Sequence, residues 1–163
     1  MTIQIGDRIP DASLLHMTDN GPTPISSQDA LGQGRVVLFA VPGAFTPTCS
    51  VDHLPSFTEL ADEFKALGVD RIACTSTNDI FVLSAWAKAH DASAITMLAD
   101  GNGELTQAMG LGLDASAFGM GQRCQRYAMV LEHGRVTHLA VEAPGAFEVS
   151  SGPAVLAALK AQA

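Results

Sequence analysis

The chain has 163 residues, of which 47% are hydrophobic and 16% charged, and its formal net charge is -8. This length suits one domain that buries a continuous core without disulfides or a structural metal, so we expect a single domain over residues 1–163. The acidic charge repels phosphate backbones and anionic lipid surfaces, which argues against binding to nucleic acid or to a membrane.

The amino terminus and the cysteines both favour a cytoplasmic protein. The first ten residues, MTIQIGDRIP, lack the basic and apolar regions of a signal peptide, and no run approaches the roughly 18 apolar residues that cross a bilayer. Cys49, Cys74 and Cys124 are odd in number and widely spaced, which argues against a disulfide scaffold and a zinc cluster. Free thiols fit a reducing cytosol.

The first half of the chain predicts a strand, a helix and a second strand. Residues 19–28 are polar and rich in proline and glycine, and we expect a surface loop there. Residues 36–41 (VVLFAV) have the pattern of a strand buried on both faces. A helix follows, kinked at Pro55 and capped by Gly68. Its expected core-facing positions are Val51, Leu54, Phe57, Leu60, Ala61, Phe64 and Leu67.

The remaining elements complete a predicted α/β fold. Residues 69–77 read as a second strand, which makes a right-handed crossover with parallel pairing. Asn78 and Asp79 are suited to cap a helix that reaches about Ala89. The further predicted elements are a strand at 96–99, a helix at 103–109, an antiparallel hairpin of 127–131 and 136–141, and a last helix opening at 151–153.

One cysteine lies where a strand gives way to a helix, in the stretch VPGAFTPTCS at residues 41–50. With Thr46 as N-cap, Pro47 takes the first helical position and Cys49 the third. A thiolate at the third position meets unpaired amides and the positive end of the helix dipole, so we expect a nucleophilic thiolate. The alternative is a small buried cysteine with no reactivity. Thr46 occupies the first position of what would be a Cys-x-x-Cys pair, which excludes a dithiol shuttle here.

The segment PGAFTPTCS, followed by HLPSF, closely resembles the active-site segment of the type II, or peroxiredoxin-5-like, peroxiredoxins. The resemblance extends over nearly the whole chain. The segments that carry it are IQIGDRIPDASL, VVLFAVPGAFTPTCS, ACTSTNDIFVLSAWAKAH, LADGNGEL, QRYAMVLEHGRV and VEAPGAFEVSS.

This resemblance implies a thioredoxin-like fold, with a central mixed β-sheet flanked by helices and an N-terminal extension. It implies a thiol-dependent peroxidase that reduces hydrogen peroxide, alkyl hydroperoxides or peroxynitrite without a metal or an organic cofactor. Cys49 would be the peroxidatic cysteine that becomes a sulfenic acid, with Pro42, Thr46 and Arg126 around it.

The chemistry of these side chains agrees with the implied roles. Attack of the Cys49 sulfur builds negative charge on the departing oxygen, and Arg126 and the amides after Pro42 are suited to stabilise it. The Thr46 hydroxyl is suited to hold the peroxide beside the sulfur, while the proline rings exclude water.

Three polar residues near this segment have simpler expected roles. Arg123, three residues before Arg126, is interpreted as a surface or rim residue. His53, four residues after Cys49, is expected to be a structural helix residue with a local hydrogen bond rather than a base. Ser56 stands where the family usually has glycine, a departure that concerns local packing.

Four aromatic residues divide into core and rim. Trp86 and Phe81 are expected in the core, because aromatic residues at helical spacing usually lie there. Phe45 and Phe118 are expected to border the site. The family commonly forms homodimers through its active-site ends, so an apolar rim there is a candidate dimer interface.

The resemblance leaves open which thiol reduces the sulfenic acid before it oxidises further. Some relatives carry a resolving cysteine in the segment matching residues 147–152, where this chain reads FEVSSG. Cys74 lies about three residues inside its strand, roughly 10 Å from the strand end, so pairing with Cys49 would require local unfolding. Cys124 would share a strand face with Arg126 if the strand already began there.

We therefore expect a one-cysteine mechanism with an external reductant, which by resemblance is glutathione with glutaredoxin, or thioredoxin. Cys74 and Cys124 remain candidate resolving cysteines. An alternative from another class is a redox sensor or thiol-regulated binding protein with little turnover. A cysteine hydrolase is a third alternative, and it would need a base that only His53 offers locally.

Overall fold

The computed structural model describes residues 2–162 and is built on one seven-stranded mixed β-sheet with the strand order β2-β1-β5-β4-β3-β8-β9. The strands of this sheet are β1 (Ser13–Thr18), β2 (Gly21–Ser26), β3 (Arg35–Ala40), β4 (Arg71–Ser76), β5 (Thr96–Ala99), β8 (Tyr127–Glu132) and β9 (Arg135–Val141). A separate two-stranded sheet pairs β6 (Gly112–Asp114) with β7 (Gln122–Cys124).

Helices cover both faces of the main sheet and enclose two apolar clusters. The helices are α1 (Ser27–Leu31), α2 (Leu54–Thr58), α3 (Ala61–Ala66), α4 (Ile80–Ala89), α5 (Glu104–Met109) and α6 (Gly152–Gln162). Two short turns complete the list, a π-helical turn at Cys49–His53 and a 3-10 turn at Ser116–Phe118. The thioredoxin-like α/β class expected from the sequence is confirmed.

Strand β3 lies inside the sheet, between β4 and β8, and leads directly into the cysteine segment. It pairs in parallel with β4 and antiparallel with β8. Its side chains from Val36 to Ala40 are buried on both faces, as the apolar run predicted. The predicted crossover from β3 to β4 and the predicted hairpin of β8 and β9 are both confirmed.

The predicted helix after β3 is divided, and one of its predicted core positions is wrong. A π-helical turn comes first, in which the Leu54 amide donates to the Cys49 carbonyl, five residues back. This wider turn rotates the side chains relative to a 3.6-residue repeat, so Val51 is 70% exposed although Phe57 and Phe64 are buried. Gly68 follows α3 at a φ of 83°, as predicted for the cap.

The predicted surface loop at residues 19–28 is instead mostly a strand. Residues 21–26 form β2, the edge strand of the sheet, paired along its length with β1. Its prolines, Pro22 and Pro24, are tolerated because an edge strand leaves half of its backbone groups outside the ladder. The loop prediction, which rested on the proline and glycine content, is therefore wrong for residues 21–26.

The helix α4 begins and ends as predicted, but only one of its two expected core aromatics is buried. Asp79 caps it, and its side chain accepts a hydrogen bond from the Val82 amide. Trp86 is fully buried, whereas Phe81 is 65% exposed. The buried stripe of the helix passes through Ile80, Leu83 and Trp86, and Phe81 lies next to that stripe.

No helix within residues 2–162 is both long and apolar enough to cross a membrane. In the same residues, no cluster of three or more His, Cys, Asp or Glu side chains is arranged to hold a metal ion.

Candidate active site

The loop that follows β3 is tied to the end of β4 and the residues after it. The Val41 amide donates to the Thr75 carbonyl at 3.1 Å, and the Ala44 amide donates to Asn78 Oδ1 at 2.8 Å. Phe45 then takes a φ of 64°, in the left-handed region that a bulky side chain rarely adopts. These contacts fix the turn that presents Pro42 and Thr46.

Thr46 is the N-cap of the helix start, although its hydroxyl does not cap. Pro47 and Thr48 are already helical, and the Thr46 carbonyl accepts the Ser50 amide at 3.0 Å. The Thr46 hydroxyl donates instead to the Gly43 carbonyl at 2.7 Å. Because its proton is committed to that carbonyl, the hydroxyl oxygen keeps its lone pairs for another donor.

Cys49 and Arg126, which are 77 residues apart in the chain, meet at the start of the π-helical turn. The Arg126 guanidinium donates from Nη2 to the Cys49 sulfur at 3.1 Å. The Cys49 side chain is fully buried in the cluster that also contains Phe39 and Phe57. The predicted pairing of these two residues is therefore present in the folded chain.

His53 makes two long-range hydrogen bonds, where the sequence predicted a local one. Its Nε2 lies 3.0 Å from the Ser150 carbonyl, and its Nδ1 lies 2.8 Å from Arg126 Nη1. A carbonyl only accepts and a guanidinium only donates, so Nε2 carries the proton and Nδ1 accepts. The rings of Phe39, Phe57 and Phe147 surround the imidazole. His53 is thus a neutral side chain that orients Arg126.

Burial, followed by the charge of Arg126, lowers the pKa of His53 to about 3. The unfolded chain binds this proton near pH 6.5, and the folded chain excludes it until about pH 3. The associated stabilisation is therefore complete above pH 6.5 and is lost as the pH falls.

Replacing His53 with glutamine tests the direction of this pH dependence. We expect the free energy of unfolding of the wild type to fall between pH 6 and pH 4 by about 2 kcal/mol more than that of His53→Gln. Urea unfolding at stepped pH measures the difference, and every other titrating group is common to both chains. Equal pH dependence in the two chains would contradict a neutral, proton-excluding His53.

The two other cysteines lie on opposite faces of the sheet and are both buried thiols. Cys74, on β4, shares the apolar cluster of Cys49, and burial raises its pKa well above the usual range. Cys124, at the end of β7, belongs to the other cluster and donates to the Val41 carbonyl at 3.2 Å. Burial raises the pKa of Cys124 to about 12. Neither is in a disulfide.

The condition for Cys124 and Arg126 to share a strand face, a strand that already begins at Cys124 and continues through Arg126, is not met. Strand β7 ends at Cys124 and β8 begins only at Tyr127, so alternation is broken between them. The Gln125 amide donates to the Leu111 carbonyl, outside both strands. Cys124 therefore enters the cluster opposite the one that contains Cys49.

The other predicted site neighbours take simpler positions. Arg123 is half-buried and donates from Nε to the Met120 carbonyl, in agreement with a rim residue. The hydroxyl of Ser56 accepts from the Gly152 amide, so the serine ties α2 to the start of α6. The indole of Trp86 donates to the Ser50 hydroxyl at 3.0 Å, directly beside Cys49 in the chain.

A cavity of about 340 Å³ opens beside Arg126. The residues that line it are Pro42, Thr48, Gly112, Leu113, Asp114, Gln125, Arg126, Glu142, Ala143, Pro144, Gly145 and Ala146. Three of them, Pro42, Thr48 and Arg126, surround the segment that carries Cys49. The cavity therefore opens next to the segment that carries Cys49.

Comparison with known proteins places the chain in a family. Residues 4–156 match the Redoxin family. The chain is 44% identical to Peroxiredoxin-2B of Arabidopsis thaliana, with 96% of this chain and 98% of the relative covered. It is 46% identical to the chloroplastic Peroxiredoxin-2E-2 of Oryza sativa subsp. japonica, covering 97% of this chain and 73% of the relative.

Among solved structures, reduced Prx3 of Vibrio vulnificus in complex with H2O2 is 50% identical and superposes with a TM-score of 0.94, over 97% of this chain and 99% of that one. Matches of this identity and coverage, together with a cysteine at a helix start and an arginine on its sulfur, lead to one assignment: the chain belongs to the type II peroxiredoxins, thiol-dependent peroxidases of the redoxin family.

Proposed function

We propose that Cys49 is the thiolate that attacks the peroxide and that Arg126, Thr46 and Pro42 complete the catalytic site. The observation that carries this proposal is the 3.1 Å contact between Arg126 Nη2 and the Cys49 sulfur. A guanidinium is always protonated, so it stabilises an anionic sulfur and an anionic leaving oxygen in turn.

In the proposed step, the Cys49 sulfur forms a bond to one peroxide oxygen while the oxygen–oxygen bond breaks. The attacked oxygen remains on sulfur as the sulfenic hydroxyl. The other oxygen leaves with the electron pair and takes up a proton to become water or an alcohol. Arg126 stabilises the charge on the departing oxygen, where donors lower the barrier most.

Thr46 and Pro42 are proposed to hold the peroxide for this attack. Because the Thr46 hydroxyl already donates to Gly43, its oxygen is an acceptor for the peroxide O–H. Pro42 lines the cavity beside Arg126 and offers no amide hydrogen to compete for the substrate. The cavity is much larger than hydrogen peroxide, so it also accommodates the organic group of an alkyl hydroperoxide.

An external thiol is proposed to return the sulfenic acid to the thiol. Cys74 and Cys124 are both fully buried, and Cys124 lies in the cluster on the far side of the sheet. Their raised pKa values keep them as thiols, which are poor nucleophiles. Ser150 and Ser151 occupy the segment where some relatives carry a resolving cysteine. Glutathione with glutaredoxin, or thioredoxin, is the proposed reductant.

One experiment tests this one-cysteine cycle. Fully reduced protein receives one equivalent of hydrogen peroxide without reductant, in the presence of a dimedone probe that traps sulfenic acids. We expect the intact mass to show one probe adduct and peptide mapping to place it on Cys49. Loss of two hydrogens, with a disulfide from Cys49 to Cys74 or Cys124, would contradict the external-thiol proposal.

The sensor alternative is less well supported. A sensor needs a reactive thiol but no donor for a departing oxygen, whereas the Arg126 guanidinium lies on the Cys49 sulfur, where it is suited to be that donor. The arrangement of Thr46 points the same way, because it prepares an acceptor for a peroxide proton.

We also propose a cytoplasmic homodimer. Three free thiols suit a reducing compartment. Phe45 and Phe118, which are 55% and 82% exposed, are the proposed interface residues, because a partner subunit would remove their large apolar side chains from water. Sedimentation velocity measures the assembly, and a purely monomeric species at micromolar concentration would contradict it.

A further inference from the structure

Glu142 is a buried carboxylate directly behind the site, with 6% of its surface exposed. One of its oxygens, Oε2, accepts four hydrogen bonds, from the amides of Glu148, Val149 and Ser150 at 2.8 to 2.9 Å and from the Ser150 hydroxyl at 2.7 Å. Its own amide donates to the Arg126 carbonyl at 3.0 Å. Glu142 therefore joins the backbone of Arg126 to the segment 148–150.

That segment in turn determines the orientation of the arginine side chain. The Ser150 carbonyl accepts the proton of His53 Nε2 at 3.0 Å, which leaves Nδ1 as an acceptor for Arg126 Nη1 at 2.8 Å. With Nη1 held there, Nη2 lies 3.1 Å from the Cys49 sulfur. Hydrogen bonds thus run without a gap from Glu142 through Ser150, His53 and Arg126 to the sulfur.

The carboxylate of Glu142 is charged in this setting. Burial alone would raise the pKa of Glu142, but the hydrogen bonds from the Ser150 hydroxyl and from the three amides outweigh burial and hold the pKa below its usual range. Hydrogen bonds to a charged acceptor are roughly twice as strong as neutral ones, so the segment 148–150 is held firmly.

The direction of the Ser150 carbonyl matters because it selects the histidine tautomer. If the carbonyl moves away, His53 is free to carry its proton on Nδ1, which then opposes the donor of the guanidinium. Arg126 Nη1 would lose its acceptor, and Nη2 would no longer be aligned with the sulfur. Glu142, which holds the Ser150 carbonyl in place, thus governs the geometry at Cys49.

We propose that Glu142 is a positioning residue for peroxide reduction, acting through Ser150 and His53 on the Arg126 guanidinium. The proposal rests on the proposed roles of Cys49 and Arg126. Glu142 also lines the cavity beside Arg126, together with the adjoining residues 143–146, so the same anchor holds one wall of that cavity.

The test replaces Glu142 with glutamine, which keeps the size of the side chain but removes its charge and one acceptor. The rate of Cys49 oxidation by excess hydrogen peroxide is followed in a stopped-flow instrument through Trp86, the one tryptophan of the chain, whose indole contacts Ser50. We expect oxidation to slow by about 10-fold to 100-fold, as when a partner that orients a reacting group is lost. A wild-type rate in Glu142→Gln would overturn the proposal.

Glu148→Gln is the matched control. Glu148 is an exposed glutamate in the same segment, and this change retains the backbone amide that donates to Glu142. We expect its oxidation rate to stay within about twofold of the wild type. A loss as large as that of Glu142→Gln would assign the effect to the charge of the segment and overturn the proposal.

A double-mutant cycle separates positioning from a general structural effect. In an Arg126→Ala background, Glu142→Gln should change the oxidation rate by less than about twofold, because its target is already absent. An equal fold-loss in both backgrounds would overturn the proposal. If Arg126→Ala alone reacts at the wild-type rate, the role of Arg126 itself fails, and this inference fails with it.

Ser150→Ala provides a second variant for the same cycle. It removes the 2.7 Å hydroxyl contact but retains the three amides and the carbonyl that faces His53. We expect a slowing of a few-fold that also disappears in the Arg126→Ala background. Circular dichroism and thermal unfolding establish whether each variant is folded. If Glu142→Gln does not fold, the rate of Ser150→Ala tests the proposal in its place. An undiminished rate in a folded Ser150→Ala would then overturn the proposal.

Discussion

Replacing Cys49 with serine is expected to lower peroxide turnover by at least roughly 10⁴-fold, the range in which loss of a catalytic nucleophile falls. A serine hydroxyl stays protonated at neutral pH and lacks the polarisable anion that attacks the oxygen–oxygen bond. The side chain is almost isosteric and fully buried in the cluster with Phe39 and Phe57, so the fold should persist. Peroxide consumption with excess dithiothreitol measures the rate.

The other two cysteines supply the controls for this experiment. Cys74→Ala and Cys124→Ala remove buried thiols that donate to the Thr75 and Val41 carbonyls, and each should retain peroxide consumption within a few-fold of the wild type. Undiminished turnover in Cys49→Ser, or complete loss in either control, would contradict Cys49 as the nucleophile and indicate another cysteine.

The elements that the sequence predicted correctly are those whose signals are local. The run VVLFAV has no polar residue, which suits a strand covered on both faces, and β3 lies inside the sheet between β4 and β8. The helix after Asp79 begins with an accepting carboxylate, and its buried stripe follows a regular repeat. In each case the deciding interaction lies within a few residues.

The errors arose where a local rule was overridden by tertiary structure. Val51 is exposed because the π-helical turn changes the repeat, and no composition signal distinguishes that turn from an α-helix. Pro22 and Pro24 indicated a loop, yet an edge strand tolerates them. Whether a strand will lie at an edge depends on the order of the whole sheet, which a single segment does not contain.

The candidate site likewise has local features that the sequence predicted and long-range contacts that it did not. The position of Cys49 at a helix start is a local property, and the sequence predicted it. The partners of His53 are 97 residues away at Ser150 and 73 residues away at Arg126, so the predicted local bond was wrong. Glu142 gave no signal, because a single acid after a strand is usually solvated. Its role depends on a loop folding back over it.

Replacing Arg126 with alanine is expected to slow oxidation of Cys49 by about 10²-fold to 10³-fold, the cost of losing one donor to a developing anion. The contact from Nη2 to the sulfur disappears, and so does the charge that faces the departing oxygen. Stopped-flow fluorescence of Trp86 measures the rate, since its indole contacts the residue next to Cys49. Arg126→Lys retains the charge, but one ammonium is poorly shaped to satisfy both His53 and the sulfur, so an intermediate rate is expected.

Arg123 separates the contribution of this contact from that of positive charge in general. It lies three residues away, and its Nε donates to the Met120 carbonyl rather than to the sulfur. Arg123→Ala removes a positive charge from the same region but leaves the hydrogen bond from Arg126 to the sulfur, so its oxidation rate should stay within about threefold of the wild type. If both alanine variants slowed equally, catalysis would depend on the overall field of the site, and the 3.1 Å contact would lose its proposed importance. A large loss in Arg126→Ala alone would place transition-state stabilisation on one guanidinium.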